Sequence, residues 1–290
     1  MKTHIKFHLD MNKIFKALKK KFLAFFLAAF SFGFFQAQEL SENAKILIDD
    51  FFNLRMNLSV YDENDAESII SAIEFFSKEN AKKISLCNAQ EKIILENFFV
   101  MEKYNYLYEN PGQAKIQHEL LGNQLEKIEQ FLKENNGISL NEYFYCTQAD
   151  VTSCYMGYSL GDVLKYGASV KPLYEKALEA NPNFSYALTN IGQWYYFAPK
   201  IAGGSKKKSL AYFEKAQANA STPAQKYFAD IFLSQLLFEN KQFEKCKELL
   251  HEAQSFCPQS NYLKKIRNAN KDGLSLYEYN KKKSPLKEKN

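Results

Sequence analysis

One pattern recurs in the C-terminal half of this 290-residue chain and limits what the chain can become. Leu173–Pro182 reads LYEKALEANP and Leu249–Pro258 reads LLHEAQSFCP. In each, a large apolar residue (Tyr174, Leu250) is followed three places on by alanine (Ala177, Ala253) and five further on by proline (Pro182, Pro258). Between them, AYFEKAQANASTP supplies Phe213, Ala216 and, two places late, Pro223. Residues three apart share a helical face. The alanine lets a second helix come close, and the proline cannot continue the helix. Such a chain is a series of short helices, each burying its stripe on the next.

The segment Ala187–Tyr196, ALTNIGQWYY, supplies the other half of the unit. Leu188, Ile191, Gly192 and Tyr195 match W-x2-L-G-x2-Y with Leu in place of Trp, so these segments resemble tetratricopeptide repeats. From Gly192 to Ala216 is 24 residues, where the repeat expects about 19, so the middle unit carries roughly five extra residues between its helices. A later unit runs from about Lys226 to Ser260, with Cys246 at a small packing position. A unit near Val151–Asn183 has no clear first helix. The expected fold is all-α: stacked helical hairpins in a tetratricopeptide-like right-handed solenoid, with an N-terminal helical region.

The extra residues lie in Tyr195–Ala216, YYFAPKIAGGSKKKSLAYFEKA. Pro199 ends one helix, Gly203 and Gly204 permit unusual backbone angles, and Ser205 can cap the next helix. With Gly192, Tyr195 and the FEKA at Phe213–Ala216, this stretch resembles the periplasmic T-components of TRAP transporters. It does so closely over about 30 residues and loosely over residues 150–260. The resemblance implies an oligomer with a pore or cleft, a periplasmic solute-binding subunit as partner, and a small apolar ligand. Trp194, Tyr195, Tyr196 and Phe197 are four consecutive aromatic residues that cannot all face one core. Together with Pro199 they are the expected partner- or ligand-binding residues, since Trp and Tyr are favoured in binding patches. Tyr195, Tyr196 and Phe197 are the expected lining of a small-molecule pocket.

The start of the chain reads as a secretory signal. Five lysines between Lys13 and Lys21 precede the apolar run Phe22–Phe35, and a polar segment follows. The run is too short to cross a hydrocarbon core of about 30 Å. Residues 1–38 are therefore expected to be a signal peptide and the destination extracytoplasmic, a bacterial periplasm. Residues 39–150 form the N-terminal helical region, with helices expected over Ala44–Leu58, Asp65–Lys83, Ala89–Tyr108 and Gly112–Asn135. Repeats occupy 151–263. The tail 264–290, with nine basic and three acidic residues, is expected to be disordered.

Charge and motifs narrow the function. Residues 39–263 hold 22 basic and 29 acidic side chains, which disfavours nucleic acid as a partner. After the signal, histidine remains only at His118 and His251. There is no HExxH, P-loop, GxSxG or paired-cysteine motif. No enzyme, cofactor or metal is expected. Five cysteines leave at least one unpaired; Cys146 and Cys154 could bond if a turn separated them, and otherwise all five read as buried thiols.

Overall fold

The computed structural model describes residues 38–62, 65–108 and 113–282. The expected signal peptide, apart from Gln38, lies outside the described residues. Ala37–Asn290 is one folding unit. Its described residues are helical, with no strand among them.

Five helices precede residue 140 among the described residues: α1 (Glu42–Leu58), α2 (Ala66–Glu79), the short α3 (Ala81–Ser85), α4 (Ala89–Tyr108) and α5 (Ala114–Glu134). They lie where the periodicity puts them, except that Asn80 interrupts the expected Asp65–Lys83 helix. Three hairpins follow: α6 (Glu142–Met156) with α7 (Leu160–Ala180), α8 (Ser185–Phe197) with α9 (Lys206–Asn219), and α10 (Pro223–Glu239) with α11 (Phe243–Phe256). Within each hairpin the two helices touch along their length. Starts are set by side chains that accept from the first-turn N–H groups: Asn141, Ser159, Ser205 and Thr222, the last followed by Pro223.

The repeat expectation locates the contacts. Ala177, Ala216 and Ala253 are completely buried, and Cys246 is buried beside them in the sequence pattern. Gly192 faces Phe213: a Cβ on Gly192 would sit 2.7 Å from the ring. Pro182 and Pro258 each come directly after the C-cap residues of α7 and α11, Asn181 and Cys257. The connection in the middle hairpin is a 3-10 turn, Lys200–Ala202. Gly203 takes φ 96°, and a Cβ on Gly204 would lie 1.8 Å from the carbonyl oxygen of Ala198. Both glycines are required there.

Residue 151, the expected start of the repeats, falls inside α6, which begins at Glu142. Its buried residues are Phe144, Cys146, Thr147, Ala149, Asp150, Val151 and Thr152, of which only Phe144 and Val151 are bulky and apolar, too few to give a clear apolar period. The same helix runs unbroken through Cys146 and Cys154, about 12 Å apart along its axis, so no turn brings them together; all five thiols are free. The tail from Lys264 is helical over most of its described part, in α12 (Asn261–Lys271) and α13 (Leu276–Lys282). Leu276 and Tyr277 are buried, and the Tyr277 hydroxyl donates to the carbonyl of Phe232 at 2.6 Å. Lysine-rich composition hid this narrow apolar stripe.

The N-terminal region also closes against the last repeat. The backbone N–H groups of Asn261 and Tyr262 donate to the carbonyl of Ser59 at 2.9 and 3.1 Å. The buried Tyr227 hydroxyl is 3.0 Å from the Ser59 hydroxyl and 2.8 Å from that of Ser260. α1 therefore packs on α10.

If the Gly192–Phe213 approach sets the spacing of α8 and α9, Gly192→Ala must push the ring aside. It is expected to destabilise the fold by about 1–3 kcal/mol. Urea unfolding would measure this; an unchanged midpoint would show the contact to be slack.

Candidate functional site

Six helices enclose a cleft of about 1170 Å³. Phe52 and Arg55 enter it from α1, Phe98 and Glu102 from α4, Asp150 and Ser153 from α6, and Phe228 and Phe232 from α10. α7 and α8 supply the remaining walls, and residues 198–202 form part of the rim. The walls are largely apolar and rich in aromatic rings, the usual character of a binding cavity.

The aromatic run divides as helical geometry requires. Trp194 and Phe197, three apart on α8, share a face and line the cleft, and Pro199 follows at the rim. Tyr195 and Tyr196 do not line it, which corrects the expected pocket lining. Tyr195 is buried and stacks on Tyr212 at 5.3 Å, inside the α8–α9 hairpin. Tyr196 is buried against Tyr277 at 4.4 Å, and its hydroxyl donates to Glu239 at 2.6 Å and to Glu278 at 3.0 Å. Each residue turns about 100° from the last, so a run of four cannot serve one surface.

Among the polar groups in the wall, two carry roles that the sequence pattern does not indicate. The first is Arg55. Its Nε lies 2.5 Å from the Glu102 carboxylate, and its guanidinium sits 4.6 Å from the Phe228 ring centre. Arginine suits this place because a planar guanidinium can stack on a ring and pair with a carboxylate at once. Glu102 also accepts from Asn105 at 3.3 Å. A signal existed: arginine occurs only at 55 and 267 in a chain otherwise supplied with lysine.

The second is Asp150, on the face of α6 that meets the next hairpin. It accepts from the Tyr174 hydroxyl at 2.7 Å, the Tyr186 hydroxyl at 2.5 Å and the Asn190 amide at 2.9 Å. One carboxylate thus ties α6, α7 and α8 together. Burial pushes its pKa up to about 6; the tyrosine hydroxyls, the Arg55 charge and Asn190 hold back a larger rise. Burial likewise drives the hydroxyls of Tyr174 and Tyr186 well above the ordinary tyrosine range, so both remain donors.

Glu102 and Asp150 are both committed to these partners. The arrangement is equipped for recognition by shape and hydrogen bonding. Among the described residues, no group of three or more His, Cys, Asp or Glu side chains could hold a metal ion.

No family model matches the chain, and no curated protein matches it. The crystal structure of a thermophilic tetratricopeptide-repeat protein from Thermus thermophilus is similar in fold, at 15% identity and a TM-score of 0.43. The similarity covers 75% of this chain and 96% of that one.

The raised pKa of Asp150 makes stability depend on pH. Between its unfolded value near 4 and its folded value of about 6, the native state holds the proton more tightly than the unfolded chain. Unfolding free energy should therefore rise as pH falls from 7 toward 4, with Asp150 contributing roughly 2 kcal/mol of that rise. Asp230, whose pKa burial also raises to about 6, acts in the same sense. The reading is thus the difference between the parent and Asp150→Asn: the variant should show a flatter pH profile, and parallel profiles would contradict the assignment.

Proposed function

We propose that this protein is an exported, non-catalytic adaptor whose cleft holds an apolar segment of a protein partner. The observation that carries the reading is the cleft itself, with aromatic walls drawn from six helices and two polar anchors, Arg55 with Glu102 and Asp150. Apolar walls supply the attraction, and fixed polar groups supply orientation. Trp194, Phe197 and Pro199 are the contact residues in this reading. The charge order of residues 1–38 supports export, and with it a periplasmic location. The resemblance of Tyr195–Ala216 to transporter T-components supports a solute-binding subunit as the partner and a homo-oligomer as the working assembly.

A second reading has its own support. α1 packs on α10 and carries Phe52 and Arg55 into the cavity, which bounds the cleft on a side that an open repeat array would leave free. A cavity of this size suits a small apolar ligand, since such sites run to about 1,000 Å³. In this reading the protein is a carrier.

Mass separates the two. A photo-reactive residue at Phe197 in the cell should yield a protein-sized adduct, absent when the same group replaces the exposed Leu86 just beyond α3. Native mass spectrometry of the purified protein should show no bound small molecule. A reproducible adduct below about 1 kDa, the range of drug-sized and lipid-sized ligands, would sink the adaptor and leave the carrier.

A further inference from the structure

The mouth of the cleft carries apolar side chains that the fold does not use. On one lip, the start of α7, Leu160 is 75% exposed and Leu164 is 87% exposed. On the other, Phe197 is exposed and Ile201, at the 3-10 turn, is 99% exposed. All four line the same cleft. Isolated exposed leucines need no explanation, but a cluster around one opening marks a surface made to be covered.

The charge around these residues indicates what covers them. Segments 160–171 and 197–208 together hold six lysines and one acidic residue, Asp162. Asp162 is taken up by the Ser159 hydroxyl at 2.6 Å and His118 at 3.5 Å. Two of the lysines are ion-paired, Lys171 with Glu175 and Lys206 with Glu239. Lys165 and Lys200 stand exposed directly beside Leu164 and Ile201. The rest of the repeat body is net acidic, so this positive rim is local.

Exposed leucine and isoleucine tips bordered by lysines are the arrangement that binds an anionic bilayer surface. The tips enter the boundary of the acyl region and the ammonium groups meet the phosphates. Among the described residues no helix is long and apolar enough to span a membrane, so the contact is peripheral. We propose that the mouth of this cleft docks on an anionic phospholipid surface through Leu160, Leu164 and Ile201, with Lys165 and Lys200 holding the headgroups. The cleft then opens toward the bilayer. This inference goes beyond the adaptor reading and does not depend on what the cleft holds.

The chain has a single tryptophan, Trp194, which makes a local test available. The full chain carrying Trp194→Phe and Ile201→Trp has one indole, at the tip of a lip. It is mixed with vesicles whose phospholipids carry brominated acyl chains. One set is pure phosphatidylcholine; the other is equimolar phosphatidylcholine and phosphatidylglycerol. Indole fluorescence is expected to be quenched by the anionic vesicles and little by the neutral ones. Adding Leu160→Glu and Leu164→Glu should weaken this by about tenfold or more, and replacing Lys165 and Lys200 by alanine should weaken it roughly fivefold per lysine. Leu160, Leu164, Lys165, Lys200 and Ile201 are all exposed, so circular dichroism should show these substitutions leaving the helices unchanged. The apolar run at Phe22–Phe35 is the same in every variant, so the change produced by the lip substitutions reports the lip and not that run. No quenching by anionic vesicles, equal quenching by neutral ones, or quenching untouched by the glutamate substitutions would each overturn the proposal.

Discussion

Everything in this unit depends on helices meeting at distances that ordinary side chains would forbid. At Gly192 the partner is the ring of Phe213, so close that even a methyl group would collide. Ala177, Ala216 and Ala253 are fully buried, at the places where the recurring pattern calls for a small residue. These small residues let each hairpin close tightly, and tightly closed hairpins can then stack. The stacking sets one face each of α6, α8 and α10 around a common interior, and that interior is the cleft.

The cleft is also a product of closure at its far side. α1 belongs to the N-terminal region, yet Ser59 just beyond it receives hydrogen bonds from Asn261 and Tyr262. That arrangement carries Phe52 and Arg55 into the cavity. Arg55 could not remain there as an isolated charge, because desolvation would be too costly. Glu102 and the face of Phe228 make its place tolerable. Asp150 meets the same demand with three donors from two neighbouring helices. The polar groups in the wall are therefore coupled to the integrity of the stack: the bonds that orient Asp150 also join one hairpin to the next.

The middle connection gives the mouth its form. Gly204 donates to the carbonyl of Pro199 at 3.1 Å, and Ser205 donates to that of Tyr195 at 2.8 Å. The backbone is thus held while Ile201 projects outward. Residues that the repeat does not need for packing have become the rim of its cavity.

The sequence by itself determined the all-helical class, the hairpin phase and the contact positions. Ala177, Gly192, Ala216 and Ala253 could be read because close helix contact demands a small residue at a fixed spacing. Gly203 and Gly204 could be read because few other residues tolerate that turn. Of the aromatic run, only Trp194 and Phe197 reached the cleft; facing directions depend on which neighbours pack on each side of α8, and Tyr195 and Tyr196 were claimed by Tyr212 and Tyr277. α6 was obscured because only Phe144 and Val151 among its buried residues are bulky and apolar, the others being small or polar. Asp150 and Arg55 acquired their roles only in the folded unit. Their hydrogen-bond and ion-pair partners lie 24 to 47 residues away, at Tyr174 and Glu102 among others, and the ring beneath Arg55 is farther still, at Phe228. Local periodicity records how a helix buries its own stripe, whereas a cavity is made by residues that meet only after the helices have stacked.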